Sequence, residues 1–172
     1  AVGSEAYASN LGESTGLSVK YASGPILAGL GYLNIKDTTA GAPDNRANAT
    51  LVYGGYDLGM AKVIAYYDAE TAVTGTQRLS VLGLKAIVPV SADLTVQAGI
   101  SKAKNVAGSS ASDDNAVTTA VKAVYKLSKR TSVYGLGTIV SNGDGANKGI
   151  SGVSISNGGT AGAIAAGVAH AF

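Results

Sequence analysis

The chain has 172 residues, of which 24 are Gly and 9 are Tyr, and it contains neither Cys nor Trp. Its net charge at pH 7 is +2 and 14% of its residues are charged, about half the charged fraction of an ordinary soluble domain. This composition excludes a disulfide framework and thiolate chemistry, and it gives no basis for nucleic-acid binding. No apolar run approaches the ~18–20 residues of a membrane-spanning helix, whereas alternating membrane strands need no such run.

Alternation of apolar with polar or small residues predicts nine strands. The first shows the pattern clearly, because Leu17, Val19 and Tyr21 occupy every second position before Gly24 and Pro25 form a tight turn. The predicted strands span 15–23, 26–36, 47–56, 60–68, 77–88, 94–104, 117–127, 131–141 and 161–172.

The connections between these strands alternate in length. Short turns of about two to four residues are followed by polar loops of about eight to twenty, as in a membrane barrel with one rim on each side of the outer membrane. Ten to eleven residues of ~3.3 Å each, tilted by ~40°, cover the ~25 Å apolar band of such a barrel. We therefore predict an all-β fold, a transmembrane antiparallel β-barrel. A soluble or cell-surface β-barrel that binds a ligand shares the alternating pattern and remains an alternative.

Aromatic residues near the short turns support the membrane interpretation. Outer-membrane barrels carry girdles of aromatic rings at both lipid interfaces, and Tyr66 and Tyr67 lie near a long loop on the opposite side. The alternative is that the tyrosines reflect strand propensity alone. The predicted interfacial aromatics on the short-turn side are Tyr21, Tyr56, Tyr125, Tyr134 and Phe172.

Lysines occupy strand interiors, whereas most carboxylates fall in loops and turns. A lysine on the lipid face at the bilayer midplane costs about 2–4 kcal/mol, so mid-strand lysines are expected to face a wet lumen. A wall of fixed positive charge attracts anions. The alternative is that these lysines only keep the wall hydrated. The predicted pore-lining residues are Lys20, Lys62, Lys85 and Lys122.

The last stretch, AGAIAAGVAHAF at 161–172, alternates and stops on an aromatic residue. Val168, His170 and Phe172 resemble the C-terminal signature of bacterial outer-membrane barrels, and more narrowly that of betaproteobacterial porins. The resemblance implies that Phe172 is read by the barrel-assembly machinery. His170 has no second His, no Cys and no carboxylate near it in the sequence, so we predict an interfacial side chain and no metal site.

Two further segments are similar to periplasmic turns of general porins: LSKRT at 127–131 followed by VYG at 133–135, and YGGYDLG at 53–59 followed by AKV at 61–63. The resemblance implies the C-terminal part of a sixteen-stranded trimeric porin, with 1–172 as one domain and roughly seven strands elsewhere. The family's usual first strand and inward-folded loop are not visible here, and nine is an odd strand count where bacterial single-chain barrels have even ones.

The resemblance also implies a function: a water-filled outer-membrane channel for passive diffusion of small hydrophilic solutes and ions. The preference for anions is expected from the mid-strand lysines and not from the resemblance. The expected partners are membrane lipid, lipopolysaccharide and two further copies in a homotrimer, with no nucleic acid. We predict no cofactor and no enzymatic activity, since neither a GxSxG motif nor a phosphate loop occurs. An outer-membrane barrel enzyme is the less favoured alternative. A trimer contact is expected along the small residues of the last strand, namely Gly162, Ala163, Ala165, Ala166, Gly167 and Ala169. The alternative is that these Gly and Ala residues only make room inside the wall.

Overall fold

The computed structural model describes residues 14–36, 46–71, 78–106, 113–150 and 153–172. Throughout these ranges the regular structure is nine strands, as expected from the alternation. The described part of the chain holds no helix long and apolar enough to cross a membrane. The strands are β1 Ser14–Ser23, β2 Ile26–Lys36, β3 Arg46–Asp57, β4 Lys62–Thr71, β5 Arg78–Pro89, β6 Leu94–Lys104, β7 Asn115–Lys126, β8 Thr131–Asn142 and β9 Thr160–His170.

All nine strands belong to one sheet, in the order in which they occur in the sequence. Each adjacent pair is antiparallel. In the pairs joined by a short turn the register starts at the turn: Ser23 lies opposite Ile26, and Asp57 lies opposite Lys62. Cross-strand partners share a face of the sheet, and successive residues of a strand point to opposite faces. The eight sets of cross-strand pairs therefore show which face each strand residue occupies.

The turns β5–β6 and β7–β8 have the same construction. In the first, the Ser91 hydroxyl accepts hydrogen bonds from the N–H groups of Asp93 and Leu94. In the second, the Ser128 hydroxyl accepts from Arg130 and Thr131. A serine in this position satisfies backbone donors that the ladder leaves unpaired, so each turn closes without a glycine.

A conventional hydrophobic core is missing from the described residues. The buried apolar residues there are small, apart from Val140, and no large side chain is fully buried. Large apolar side chains are instead exposed, among them Ile164 at 92% and Leu17 at 66%. A single sheet with this much exposed apolar surface requires an apolar surrounding.

The predicted boundaries agree with the observed strands to within two residues, except at the end of β4. That strand was expected to stop at 68 and continues to Thr71, because Asp68 pairs with Leu51 and Glu70 pairs with Ala49. At the other end of the chain, β9 stops at His170, and Phe172 lies two residues beyond it and fully exposed.

Candidate pore wall and its rims

The sheet has two chemically different faces. One row of cross-strand partners begins with Lys20 and Gly29 and continues through Tyr53, Tyr66 and Gly83, so these residues share a face. We call it the concave face, because its residues in the central strands are less exposed than their neighbours on the other, convex face. In a curved sheet, side chains on the inner face crowd together and are less exposed, whereas side chains on the outer face spread apart and are more exposed.

The convex face is apolar along most of each strand. Leu82, Val121 and Ile139 lie on it, with exposures of 62%, 49% and 54%. In the described strands its charged positions fall within three residues of the long-loop ends, and none is acidic. This pattern is that of a wall facing lipid.

The four predicted pore-lining lysines lie together on the concave face. Lys20 lies opposite Gly29, Lys62 opposite Asp57, Lys85 opposite Ile64, and Lys122 opposite Gln97. Each lysine is in the half of its strand nearer the short turns. The register therefore gathers their charges into one band on one side of the sheet.

The band contains one ion pair. Lys62 Nζ lies 3.6 Å from Asp57 Oδ2, with both side chains more than 40% exposed. No carboxylate of the described residues lies within ion-pair distance of Lys85 or Lys122. Their positive charges are therefore not compensated within this part of the wall.

Two carboxylates on the concave face were not predicted as site residues. Asp68 and Glu70 lie on β4, toward its long-loop end, and share the face of Lys62. The predicted strand spans 60–68, so Asp68 was expected at its end and Glu70 in the loop that follows. The pairing of β3 with β4 carries the strand past them and places both on the inner side of the sheet.

Tyrosine rings cover glycines on the concave face. Tyr53 lies across Gly29 and Tyr66 across Gly83, so closely that a Cβ on either glycine would overlap the ring. Each pair joins two neighbouring strands directly opposite one another. The ring thus occupies the space that a side chain on the partner strand would otherwise take.

Tyr134 forms the third such pair, with Gly167, and this corrects one expectation. It was grouped with Tyr21, Tyr56 and Tyr125 in a lipid-facing girdle, but it lies on the concave face with Lys122, whose Nζ is 4.8 Å from the ring centroid. Proximity to a short turn places a residue at the rim without determining its face, which depends on the register.

The other three tyrosines lie on the convex face near the short turns. Tyr21, Tyr56 and Tyr125 are 57%, 50% and 46% exposed. Toward the long loops the convex face also carries Tyr32 and Tyr67, whereas Tyr66 faces inward. Aromatic side chains therefore stand near both ends of the convex wall, where interfacial girdles occur.

The end of β9 is held at the short-turn rim. Thr131 Oγ1 and His170 Nδ1 are 2.8 Å apart, and the Ala171 N–H donates to the Arg130 carbonyl. The rings of His170 and Phe172 meet edge to face, with centroids 5.1 Å apart. Val168 lies on the same face and is 68% exposed, so the three predicted assembly-signal residues form one exposed strip.

The small residues expected at a trimer contact are divided between the two faces of the sheet. Four of the six lie on the concave face, which points away from a neighbouring barrel: Ala163, Ala165, Gly167 and Ala169. On the convex face only Gly162 and Ala166 of that set remain to approach a neighbour.

At the long-loop rim the Asn142 side chain organises the segment before β9. Its amide group donates to the carbonyls of Lys148 and Gly159, and its carbonyl accepts from the Lys148 N–H. The Gly158 N–H donates to the carbonyls of Gly143 and Ala146, and Ala146 is fully buried. In the described residues this loop is folded back on the rim.

A one-layer antiparallel sheet with an apolar convex face, a lysine-bearing concave face and turns sorted by length is the wall of an outer-membrane β-barrel. The profile of the Gram-negative porin family matches residues 1–145. The chain belongs to that family, and it is an outer-membrane protein. The match rests on the part of the chain before β9, independently of the C-terminal signature.

Among solved structures, the chain is similar to OmpT (in-vitro folded), an outer membrane protein of Vibrio cholerae, with a TM-score of 0.63 and 14% sequence identity. The similarity covers 92% of this chain and 55% of that one, so the chain spans about half the length of this relative. At this identity the similarity shows the barrel fold. Curated protein sequences give no match.

Membership of this family excludes the soluble β-barrel that the alternating pattern alone had left open.

Proposed function

We propose that the complete protein forms a water-filled channel through which small hydrophilic solutes and ions diffuse passively, with a preference for anions. The observation that carries this proposal is the common facing of Lys20, Lys62, Lys85 and Lys122 on the concave side of a wall whose other side is apolar. Charge at membrane depth is tolerated where the wall is wet, so this face borders water.

The balance of charge on the concave face supports anion preference. Lys126 joins the four lysines, and the carboxylates of the strands on this face are Asp57, Asp68 and Glu70. The Asp57 charge is offset by Lys62, and the other two carboxylates lie toward the long-loop end. An anion crossing the short-turn half of the wall meets uncompensated lysines at close range, which lowers its energy relative to a cation.

A complete channel needs more wall than these nine strands. β1 pairs only with β2 and β9 only with β8 among the described residues, and an unpaired strand edge in lipid leaves backbone groups unsatisfied at a cost of several kcal/mol each. We propose that residues 1–172 are the C-terminal domain of a sixteen-stranded barrel, and that seven further strands pair with these two edges. The assembled form we propose is a homotrimer.

The test is the single-channel current of the full-length protein in a planar bilayer, with the reversal potential taken under a salt gradient. We expect stable steps and a reversal potential of anion sign, which moves toward zero in Lys85→Gln/Lys122→Gln. Lys148→Gln, which removes a lysine in the long-loop segment, is the matched control. Absence of steps from a verified trimer contradicts the channel, and a reversal potential unchanged by the double substitution contradicts the role of the lysines.

We propose a lipid partner at the long-loop rim and a protein partner at the short-turn rim. Arg78, Lys102 and Lys104 are exposed at the long-loop end of the convex face, where they suit the phosphates of lipopolysaccharide. At the opposite rim, the strip of Val168, His170 and Phe172 is exposed and suits the proposed contact with the barrel-assembly machinery.

An enzymatic function is not proposed. Ser80 lies at the long-loop end of β5, whereas Asp93 and His170 lie at the short-turn rim. A nucleophile and its base must be within hydrogen-bond reach of each other, and these side chains are at opposite ends of the wall.

A further inference from the structure

A depression of about 910 Å³ lies at the short-turn rim, next to the β7–β8 turn. Lys129 and Arg130 line it from the turn, Lys126 lines it from the end of β7, and Asp93 lines it from the neighbouring β5–β6 turn. The three cations are exposed. The depression therefore offers positive charge and one carboxylate together at the level of the membrane surface.

A second depression, of about 470 Å³, runs along the convex face of the same strands. Its floor is formed by Gly137 and Gly162, and its sides by Val121, Ile139 and Ile164. A Cβ on Gly137 would meet no atom within 4 Å. The lining is almost entirely apolar, so the groove suits a hydrocarbon chain.

The two depressions lie on the same strands, one at the rim and the other further along the convex face. Between them lies Gly135, which also leaves open space in front of it. From Thr131 at the rim to Ile139 is eight residues, or about 26 Å along a strand, which even when tilted exceeds the ~15 Å half-thickness of a hydrocarbon core. A charged pocket at the rim and an apolar groove that reaches the depth of the bilayer midplane thus lie on the same strands.

We propose that this surface is a binding site for one phospholipid of the periplasmic leaflet. Its phosphate is held by Lys129 and Arg130, and one acyl chain lies in the groove over Gly135 and Gly137. Asp93 faces the same pocket and suits the ammonium of an ethanolamine headgroup, so phosphatidylethanolamine is the expected ligand.

A second copy of the chain is a poorer fit to this surface. A partner complementary to Lys129 and Arg130 must supply negative charge, and in the described strands the convex face carries no carboxylate. A lipid phosphate supplies that charge, and a neighbouring convex wall does not.

The experiment uses the full-length protein reconstituted into vesicles of equal phosphatidylethanolamine and phosphatidylglycerol. After extraction in mild detergent, the phospholipid retained per chain is counted by native mass spectrometry. We expect one tightly held phosphatidylethanolamine per chain. Lys129→Gln/Arg130→Gln is expected to weaken retention roughly tenfold, and Asp93→Asn to abolish the preference for phosphatidylethanolamine while phosphatidylglycerol is still retained.

The groove is tested separately with Gly137→Leu, which fills it and is expected to reduce retention. Gly54→Leu is the matched control, because Gly54 lies on the convex face of β3 and its Cβ position is equally open. Lys148→Gln serves as the charge control. Neither control is expected to change the count.

Retention that survives both Lys129→Gln/Arg130→Gln and Gly137→Leu overturns the site. Equal losses in Gly137→Leu and Gly54→Leu also overturn it, because the lipid is then held by the convex face in general. If Gly137→Leu dissociates the oligomer and leaves the lipid count unchanged, the groove is an interface between copies and the proposal is wrong. None of these readouts depends on conduction.

Discussion

Lys122 Nζ lies 4.8 Å from the centroid of the Tyr134 ring, and that ring itself lies across Gly167 of the next strand. Three strands, β7, β8 and β9, are thereby linked through side chains on the concave face. The contact holds the stem of Lys122 against the wall while leaving its charge unpaired, since no carboxylate of the described residues lies within ion-pair distance. One tyrosine therefore both fills a gap in the wall and positions a pore-lining cation.

Replacing Tyr134 by Leu is expected to lower the thermal stability of the folded barrel. The cation–π contact contributes about 0.5–1 kcal/mol at such a site, and uncovering Gly167 removes packing as well. The measurement is made on a denaturing gel with samples heated to a series of temperatures below boiling. It gives the temperature at which the barrel no longer migrates as the compact folded form. Tyr134→Phe keeps the ring and is expected to melt as wild type; equal melting of the Phe and Leu variants would contradict a role for the ring.

Gly83→Ala is expected to destabilise the barrel by about 1–3 kcal/mol, because the added Cβ overlaps the ring of Tyr66 and forces it from the wall. Denaturant midpoints of the refolded barrel give the measurement. Gly54→Ala, where the added Cβ meets nothing within 4 Å, is the control and is expected to be close to neutral.

A second substitution separates this overlap from a backbone effect. If Gly83→Ala acts by displacing the ring, then Tyr66→Leu/Gly83→Ala should cost little more than Tyr66→Leu alone. If the double variant instead loses as much stability as the two single variants added together, the effect of Gly83→Ala arises from the backbone and not from the Tyr66 ring.

The sequence was sufficient for the strands, the sorting of turns and loops, and the family, because each follows from a period of two and from local turn chemistry. Facing was predictable only where large and small residues alternate cleanly, as around Lys122. It failed for Tyr134, where Val133 and Tyr134 are adjacent and both bulky, so either could have pointed outward. The register with β7, in which Tyr134 lies opposite Val124, decides the question, and that pairing is long-range information.

The long-loop rim yields a prediction about Asn142. Asn142→Ala removes three hydrogen bonds to Lys148 and Gly159, each worth about 0.5–1.5 kcal/mol. We expect the segment 143–150 to become accessible to limited proteolysis while the strands stay protected. Asn147→Ala is the control, since Asn147 is exposed; equal cleavage in both variants would show that the Asn142 contacts do not hold the loop.

The carboxylates of β4 give the sharpest test of how the concave face selects ions. Asp68 and Glu70 lie on this face opposite Leu51 and Ala49, so no lysine stands directly across from them on β3. Their negative charge therefore opposes the lysine band instead of pairing with it. Asp68→Asn/Glu70→Gln is expected to shift the reversal potential further in the anion direction, most strongly at low salt, where charge acts over ~30 Å. Asp93→Asn is the control, because it removes a carboxylate from a turn at the rim. No shift in the β4 variant would mean that ion preference is set by parts of the barrel beyond these nine strands. A shift of equal size in the control would mean that the position of a carboxylate on the concave face has no special effect.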